Sequence, residues 1–568
     1  MDATPADPQR RHEPTFAELF TPKLVTVLRE GYSGADLRAD AIAGLTVAIV
    51  ALPLSMAIAI GSGLSPEKGL FTAIVGGFLI SALGGSRFQI GGPAGAFIVL
   101  VASIVDRQGY DGLLIATSLA GLMMIAAGFL RLGTYIKYIP FPVIVGFTAG
   151  IAVIIFASQI KELLGLTIER EPPALLPKLE VLWANIATVK PAAVALSVFA
   201  IALIVGLRRF RPQWPGMLIA VAVTTLLAVV LQLDVTTIGS RFGEIPNSLP
   251  VPSLPAIDLQ KVQAVFPDAV AIALLGSIES LLSAVVADGM SGRKHRSNCE
   301  LVAQGIANIG SAAFAGMCAT GTIARTATNV RSGARGPVAG ILHSIYILLF
   351  MLVAAPLAFY IPLACLGAVL TVVAWYMAEK EEFISLLRAS WGDAVVLMST
   401  FLLTIFADLT LAIAVGVTLG AFLFLHRMAE AIEVEGGGHL IATDEADASG
   451  TARTAYMPPS RSGDVVVYRI SGAFFFGATA AVSGALDRVG SHPKVFILDF
   501  ADVPLVDTSA AKALEGFIHK LHHSGTVVYF TGAKGPVRRT LLNAGFRPPR
   551  VRYMASVDAA SAEWYKKR

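Results

Sequence analysis

Charge is scarce in this sequence. Only 15% of its 568 residues are Asp, Glu, Lys or Arg, against 55% apolar residues. Soluble proteins carry about 25% charged residues, so a soluble enzyme of this length is not expected. Disorder is excluded by the same figures, because there is ample apolar surface to bury. Cysteine is also scarce: Cys299, Cys318 and Cys365 cannot build a disulfide framework, and none stands in a CxxC or Cys/His metal spacing. No GxxxxGK[ST] loop is present, so ATP-driven transport is not supported, and neither a Gly-x-Ser-x-Gly elbow nor an HExxH motif points to an enzyme. No cofactor is implied. The net charge of +4 is too small to indicate nucleic acid.

What is present divides into parts. Residues 1–38 are polar, with Arg10, Arg11, Lys23, Arg29 and Arg38 among the basic ones, and no apolar core follows that would mark a cleaved signal peptide. Residues 39–430 are a succession of apolar runs, of which Ala41–Ser62, Gly112–Leu130, Ala192–Leu207, Met217–Leu233, Asp268–Val286, Val338–Pro356 and Val395–Ala407 are the clearest. Runs of about 20 apolar residues read as membrane-spanning helices. Residues 431–462, including Glu433–Gly438 and an acidic stretch to Pro459, read as a hinge and linker, and 463–568 as a small soluble domain. With the N-terminus inside, Arg87, Arg131, Lys137, Arg208, Arg209, Arg211, Arg293, Lys294, Arg296, Arg331, Arg335 and Lys380 fall on one side, and little beyond Lys68 and Arg107 on the other. That bias places both termini in the cytoplasm.

Two short segments interrupt this pattern. Gln89-Ile-Gly-Gly-Pro93-Ala-Gly-Ala-Phe97 introduces one helix, and Ala319-Thr-Gly-Thr-Ile-Ala-Arg325-Thr-Ala-Thr-Asn329 another. Each is the third apolar segment of its half. Matching interruptions in two halves point to the binding site of an inverted-repeat transporter. Two helix starts facing each other at mid-membrane would present unpaired N–H groups and positive dipole ends to an anion. Arg325 fits such a site, since a guanidinium in an apolar segment normally faces a cavity or a partner. The alternative is that it lies near a membrane face, as Arg331 and Arg335 do. Glu279 has three open roles: partner of Arg325, proton carrier, or sodium ligand together with Ser283. His343 reads as a proton relay or as a locally satisfied core histidine.

Leu52-Pro-Leu-Ser-Met-Ala57, Gly91-Gly-Pro93-Ala and Arg325-Thr-Ala-Thr-Asn329-Val-Arg-Ser-Gly333-Ala-Arg together resemble the signatures of SulP-type anion permeases, the SLC26 group. The resemblance implies a polytopic helical membrane protein of about fourteen segments in two inverted repeats of seven. Segments 1–4 and 8–11 would form a mobile core and segments 5–7 and 12–14 a gate. It carries the anion pocket onto Leu54, Ser55 and Ile58 of the first segment, Ala94 and Gly95 of the third, and Thr322, Ile323, Ala324 and Arg325 of the tenth. Coupling falls on Glu279 and Ser283 of the eighth. Many relatives have glutamine where Leu54 stands. Sodium-coupled bicarbonate members have aspartate at the position of Glu279 and a threonine near Ile323. The apolar Ile323 therefore favours proton coupling or exchange over sodium.

The tail reads as alternating strands and helices: Asp464–Ser471, Lys494–Asp499 and Thr526–Thr531 as strands, with helices opening after Val506 and around Pro536–Ala544. It resembles a STAS domain, whose phosphorylated serine would fall on Ser509; the alternative is that Ser509 only starts a helix. The expectation is a multi-pass cell-membrane protein, homodimeric, with a further cytoplasmic partner at the STAS domain. It would be a secondary active transporter moving a small anion by an elevator-like shift of the core. Sulfate comes first; bicarbonate, chloride or a dicarboxylate fit the same chemistry. An anion channel, or an anion-sensing signalling protein with a STAS output, is the alternative.

Overall fold

Ser33 decides where the first membrane helix begins. Its hydroxyl accepts from the Asp36 N–H while the Asp36 carboxylate accepts from the Ser33 N–H, a reciprocal cap that starts α1 (Gly34–Gly61) several residues before the apolar run. The computed structural model describes residues 15–135, 139–168, 171–172, 174–211, 214–253, 258–407, 409–430, 433–436, 465–475 and 493–566. Arg10, Arg11, Lys137 and the expected linker from 437 to 462 lie outside them. The chain divides into two compact units, Met1–Thr418 and Leu419–Arg568.

In the first unit α1 is followed by α2 (Pro66–Leu83), which contains a π turn at Thr72–Gly76. Next comes α3 (Ile98–Phe129), entered through a 3₁₀ turn at Gly95–Phe97 and broken at Gly109, so that it makes two limbs. Then come α4 (Phe141–Leu164), α5 (Pro191–Phe210) and α6 (Gly216–Val230). A second run repeats the order with α7 (Leu259–Ser291), α8 (Ser297–Ala313), α9 (Ile323–Arg331), α10 (Val338–Ala358), α11 (Leu363–Met377), α12 (Trp391–Phe406) and α13 (Leu409–Glu430), the last running past the boundary at Thr418. Counting α3 as two limbs gives seven segments in each run. Seven is odd, so the second run enters from the opposite face and the halves are inverted. α2, α4, α11 and α13 were not among the clearest apolar runs, because Gly, Pro, Thr and Ser interrupt them.

The helices pack as two sets. α1, α2, α3 and α7–α10 contact one another; α4, α5, α6, α11 and α12 form the other set. Within the first set, α3 and α8 touch through backbone: a Cβ on Gly121 would stand 2.6 Å from the Gly305 oxygen, and one on Gly305 2.4 Å from the Gly121 oxygen. Buried carboxylates staple its loops. Asp40 accepts from the N–H groups of Arg335 (2.5 Å) and Gly336 (3.1 Å) and from the Tyr32 hydroxyl (2.6 Å). Burial and the Asp40 charge hold the Tyr32 phenol well above its ordinary pKa. Glu300 accepts from the N–H groups of Gly85 (2.8 Å) and Ser86 (3.0 Å) and from Gln304 Nε2 (2.9 Å). By alternation of the spans, Lys161, Lys178, Lys190 and Arg241 fall on the face opposite Arg87 and Arg131, so the basic bias is weaker than the sequence reading counted.

The second unit holds a five-stranded sheet in the order β3 (Glu433–Gly436), β4 (Val465–Ser471), β5 (Val495–Asp502), β6 (Val527–Thr531), β7 (Arg552–Met554), with β3 antiparallel to β4 and the rest parallel. Glu433–Gly436, expected in the hinge, is instead its edge strand: four residues carry too little pattern to reveal a pairing that lies some thirty residues away along the chain. β5 is buried on both faces, with Phe496, Leu498 and Phe500 against the helix Thr508–His523 side and Val495 and Ile497 against Ala560. Asp507 caps that helix by accepting from the Ala510 N–H (2.7 Å), and Ser509 is exposed in its first turn.

Glu300→Ala would leave two buried loop N–H groups unpaired, at about 1–3 kcal/mol each. It should lower the thermal unfolding midpoint of the detergent-purified protein by several degrees. Glu300→Gln should lower it much less, since the unpaired Gln304 Oε1 can turn to accept the new amide.

Candidate anion site

Helix α9 has nine residues, which at 1.5 Å per residue is about 14 Å, roughly half of a 30 Å hydrocarbon core. It therefore begins inside the membrane. There the chain crosses itself: β1 (Gly91–Gly92) pairs antiparallel with β2 (Thr320–Gly321), Gly91 opposite Gly321 and Gly92 opposite Thr320. The two irregular segments lead directly into the 3₁₀ turn before α3 and into α9, so the two helix starts lie side by side. Backbone polar groups at this depth have no water to satisfy them, and neighbouring side chains take that role. The Ile90 N–H donates to Thr326 Oγ1 (3.1 Å), the Thr322 N–H to the Ile90 oxygen (3.0 Å), and Asn329 Nδ2 to the Phe88 oxygen (2.9 Å). Asn308 grips Ala319 at both its N–H (2.9 Å) and its oxygen (2.8 Å), and Thr72 Oγ1 accepts from the Met317 N–H (2.7 Å).

Arg325 projects from the first turn of α9 into this crossing and is 3% exposed. Its Nη2 donates to Ser55 Oγ on α1 and to the Pro93 oxygen, both at 3.2 Å, while Nε and Nη1 are buried without a hydrogen-bond partner among the described residues. Arg325 is thus buried between α1 and the Pro93 turn. The first three N–H groups of α9, those of Ile323, Ala324 and Arg325, also have no acceptor within their own helix. Two guanidinium nitrogens without a partner, beside a helix start, are the chemistry that favours a negative charge.

The expected residues divide as follows. Leu54, Ser55, Ile58 and Ala94 are buried, Gly95, Thr322 and Ile323 half-buried, and Ala324 exposed. Hydrogen bonds bring Ser55, Arg325 and the turn at Pro93 together; Leu54, Ile58 and Ala94 share the surrounding apolar cluster. A Cβ on Gly95 would meet Ile155 Cδ1 of α4 at 3.4 Å and Met377 Sδ of α11 at 3.8 Å, so the site faces the second helix set. Of the three roles open to Glu279, the pairing with Arg325 is not formed among the described residues, and Glu279 stands half-buried on α7. The Ser283 hydroxyl is committed too, donating to Thr326 Oγ1 (3.0 Å). His343 is fully buried, with both ring nitrogens unpaired among the described residues. Gln89, Thr72 and Asn308 were missed. Their only signal was polarity on apolar segments, and the partners of Thr72 and Gln89 lie far away in sequence. A separate cavity of about 540 Å³, lined by Leu52, Met56, Val221 and Met351, is apolar and unsuited to an ion.

Comparisons with known proteins bear on the family and the fold. The model of the "Sulfate permease family" matches residues 37–400, and that of the "STAS domain" matches 456–559. The sulfate-transporter candidate YvdB of Bacillus subtilis is 40% identical over 520 residues, covering 91% of this chain and 95% of its own. The bicarbonate transporter BicA of a Synechocystis species is 30% identical over 522 residues, covering 89% and 90%. In fold, the murine solute carrier 26 family member A9, an anion transporter solved in its inward-facing state, superposes with a TM-score of 0.81 at 18% identity, covering 99% of this chain and 97% of that one.

Gly92 has φ +153°, and a Cβ there would stand 2.5 Å from Arg325 Nη1. Gly92→Ala should therefore displace the guanidinium and weaken binding of a labelled oxyanion by about tenfold or more, equivalent to roughly 1.4 kcal/mol, read by equilibrium binding to the purified protein.

Proposed function

Because this chain belongs to the sulfate permease family of anion transporters, and is a multi-pass membrane protein and not an enzyme, we propose that it is a secondary active carrier of a small oxyanion, sulfate first. The observation that carries this reading is the buried Arg325, with two unused donors beside a helix start at the crossing of two broken helices. A tetrahedral dianion can accept from Arg325 Nε and Nη1 and from the N–H groups of Ile323 and Ala324 at once. Ser55, Ala94, Gly95 and Thr322 shape the polar side of the pocket, and Leu54, Ile58 and Ile323 its apolar side.

Movement follows from the division into two sets. The anion residues all belong to α1, α3 and α9 or the turns leading into them, and they face α4 and α11 of the other set across an interface partly occupied by the apolar cavity at Leu52, Met351 and Val221. A set that is tightly packed within itself and loosely packed against its neighbour moves as a body. The reading is an elevator-like shift of α1–α3 with α7–α10 against a fixed gate. Glu279, half-buried and without an ion pair among the described residues, is the proton carrier; with Ile323 apolar, a sodium site would lack a side-chain oxygen there. Both termini are assigned to the cytoplasm, the assembly to a homodimer, and regulation to the exposed Ser509, where a phosphate would lie at a helix start.

Vesicles reconstituted with the full chain and loaded with labelled sulfate, bicarbonate or fumarate, under separately imposed pH and sodium gradients, test this. Saturable, trans-stimulated sulfate flux driven by the pH gradient is expected. Conductance without trans-stimulation would make the protein a channel. Arg325→Ala should lower sulfate flux about 100-fold or more, since hydrogen bonds to a charged group contribute about 1.5–3 kcal/mol each. Glu279→Gln should abolish gradient-driven accumulation while preserving one-for-one exchange.

A further inference from the structure

A second place in the membrane unit has the chemistry of an anion receptor, and it lies in the other helix set. The C-terminal end of α4, the start of α5, the turn before Ile238–Phe242 and the start of α11 enclose a cavity of about 290 Å³. That is about ten water volumes at ~30 Å³ each. Lys161, Lys190 and Arg241 all line it. Lys161 is 8% exposed, and its ammonium donates to a single backbone oxygen, that of Ile168 (2.9 Å); no carboxylate pairs with it among the described residues. An ammonium has three donors, so two of its N–H groups are left for an occupant of the cavity.

The other two cations are already paired, Arg241 with Glu162 (2.5 Å) and Lys190 with Asp234 (3.0 Å). Among the described residues, the three lining cations and their two paired carboxylates therefore leave one positive charge in excess, that of the buried Lys161. Two helix starts add to it. The first turns of α5 and α11 contribute Ala193, Leu363 and Ala364 to the lining, and these helices are 20 and 15 residues long. Their two positive dipole ends outnumber the one negative end that the C-terminus of α4 brings there. Thr236 and Thr167 add polar atoms to the wall. A buried, uncompensated ammonium is costly, and a small anion is the occupant that compensates it.

We propose that this cavity is a second anion site, on the gate and separate from the Arg325 site, that takes a small free oxyanion such as sulfate. Under the orientation proposed above it opens on the outer face, so that it reports external anion while the Arg325 site carries it. Its residues lie entirely in α4, α5, α11 and the loops joining their set, and none belongs to the helices that hold Arg325.

The test uses the full chain purified in detergent, with labelled sulfate and equilibrium dialysis. The Arg325→Ala variant, which lacks the carrier's guanidinium, should still bind sulfate saturably. Adding Lys161→Met should weaken that remaining binding tenfold or more. Adding Lys190→Gln, at a half-buried position whose loss does not threaten folding, should weaken it by a smaller factor. The proposal is overturned if Arg325→Ala removes all saturable binding, or if neither lysine substitution alters what remains. It is also overturned if dioctanoyl phosphatidylglycerol, and not sulfate, saturates the site, because the occupant is then a lipid headgroup. Failure of Arg325→Ala to abolish transport would count against the carrier reading alone.

Discussion

A peptide group inside a lipid bilayer has no water to bond, and the membrane unit is organised around the two places where this chain breaks its helices regardless. Residues 89–95 and 317–322 leave helical geometry at mid-membrane. Each exposed N–H or oxygen there must be met by the protein. The two breaks meet part of that demand through each other, in the short ladder of β1 and β2. Thr72, Asn308, Thr326 and Asn329 meet much of the rest. Among the described residues, the donors left without a partner include Arg325 Nε and Nη1, beside the first N–H groups of α9. In the proposed reading, the anion uses hydrogen-bonding capacity that the fold does not consume.

This constraint also accounts for the division of the helices. The segments that brace the crossing, α1, α2, α3 and α7–α10, are locked together by buried side-chain bonds between distant parts of the chain, such as Ser283 with Thr326 and Glu300 with Gly85. α4, α5, α6 and α11 take no part in that network, and they meet the first set mainly through apolar side chains. Strong directional bonds within one body and weak, non-directional contact between bodies are what sliding requires.

Much of the architecture was legible in the sequence because membranes make hydrophobicity an almost sufficient code. Apolar runs gave most of the spans, the Gly-Gly-Pro turn and the stretch around Arg325 gave the two breaks, and their matching order gave the repeat. The misreadings have local causes. Glu433–Gly436 is a strand only because β4 lies beside it, and four residues cannot announce a partner. Of the three roles left open for Glu279, pairing with Arg325 gives way to Ser55 and the Pro93 oxygen, partners that charge alone does not reveal. Lys161, Lys190 and Arg241 were overlooked on the opposite face because Lys161 and Lys190 lie at the ends of apolar runs, where a basic residue reads as a boundary and not as a feature.

The backbone contact between Gly121 and Gly305 links one residue from each half of the repeat. Neither position has room for even a methyl group unless the other helix withdraws. A duplicated gene usually frees its copies to drift apart, but here a change in one half is judged by the shape of the other. Divergence along this seam must proceed by coordinated steps, so α3 and α8 should have kept their original spacing while the loops and the gate were free to specialise.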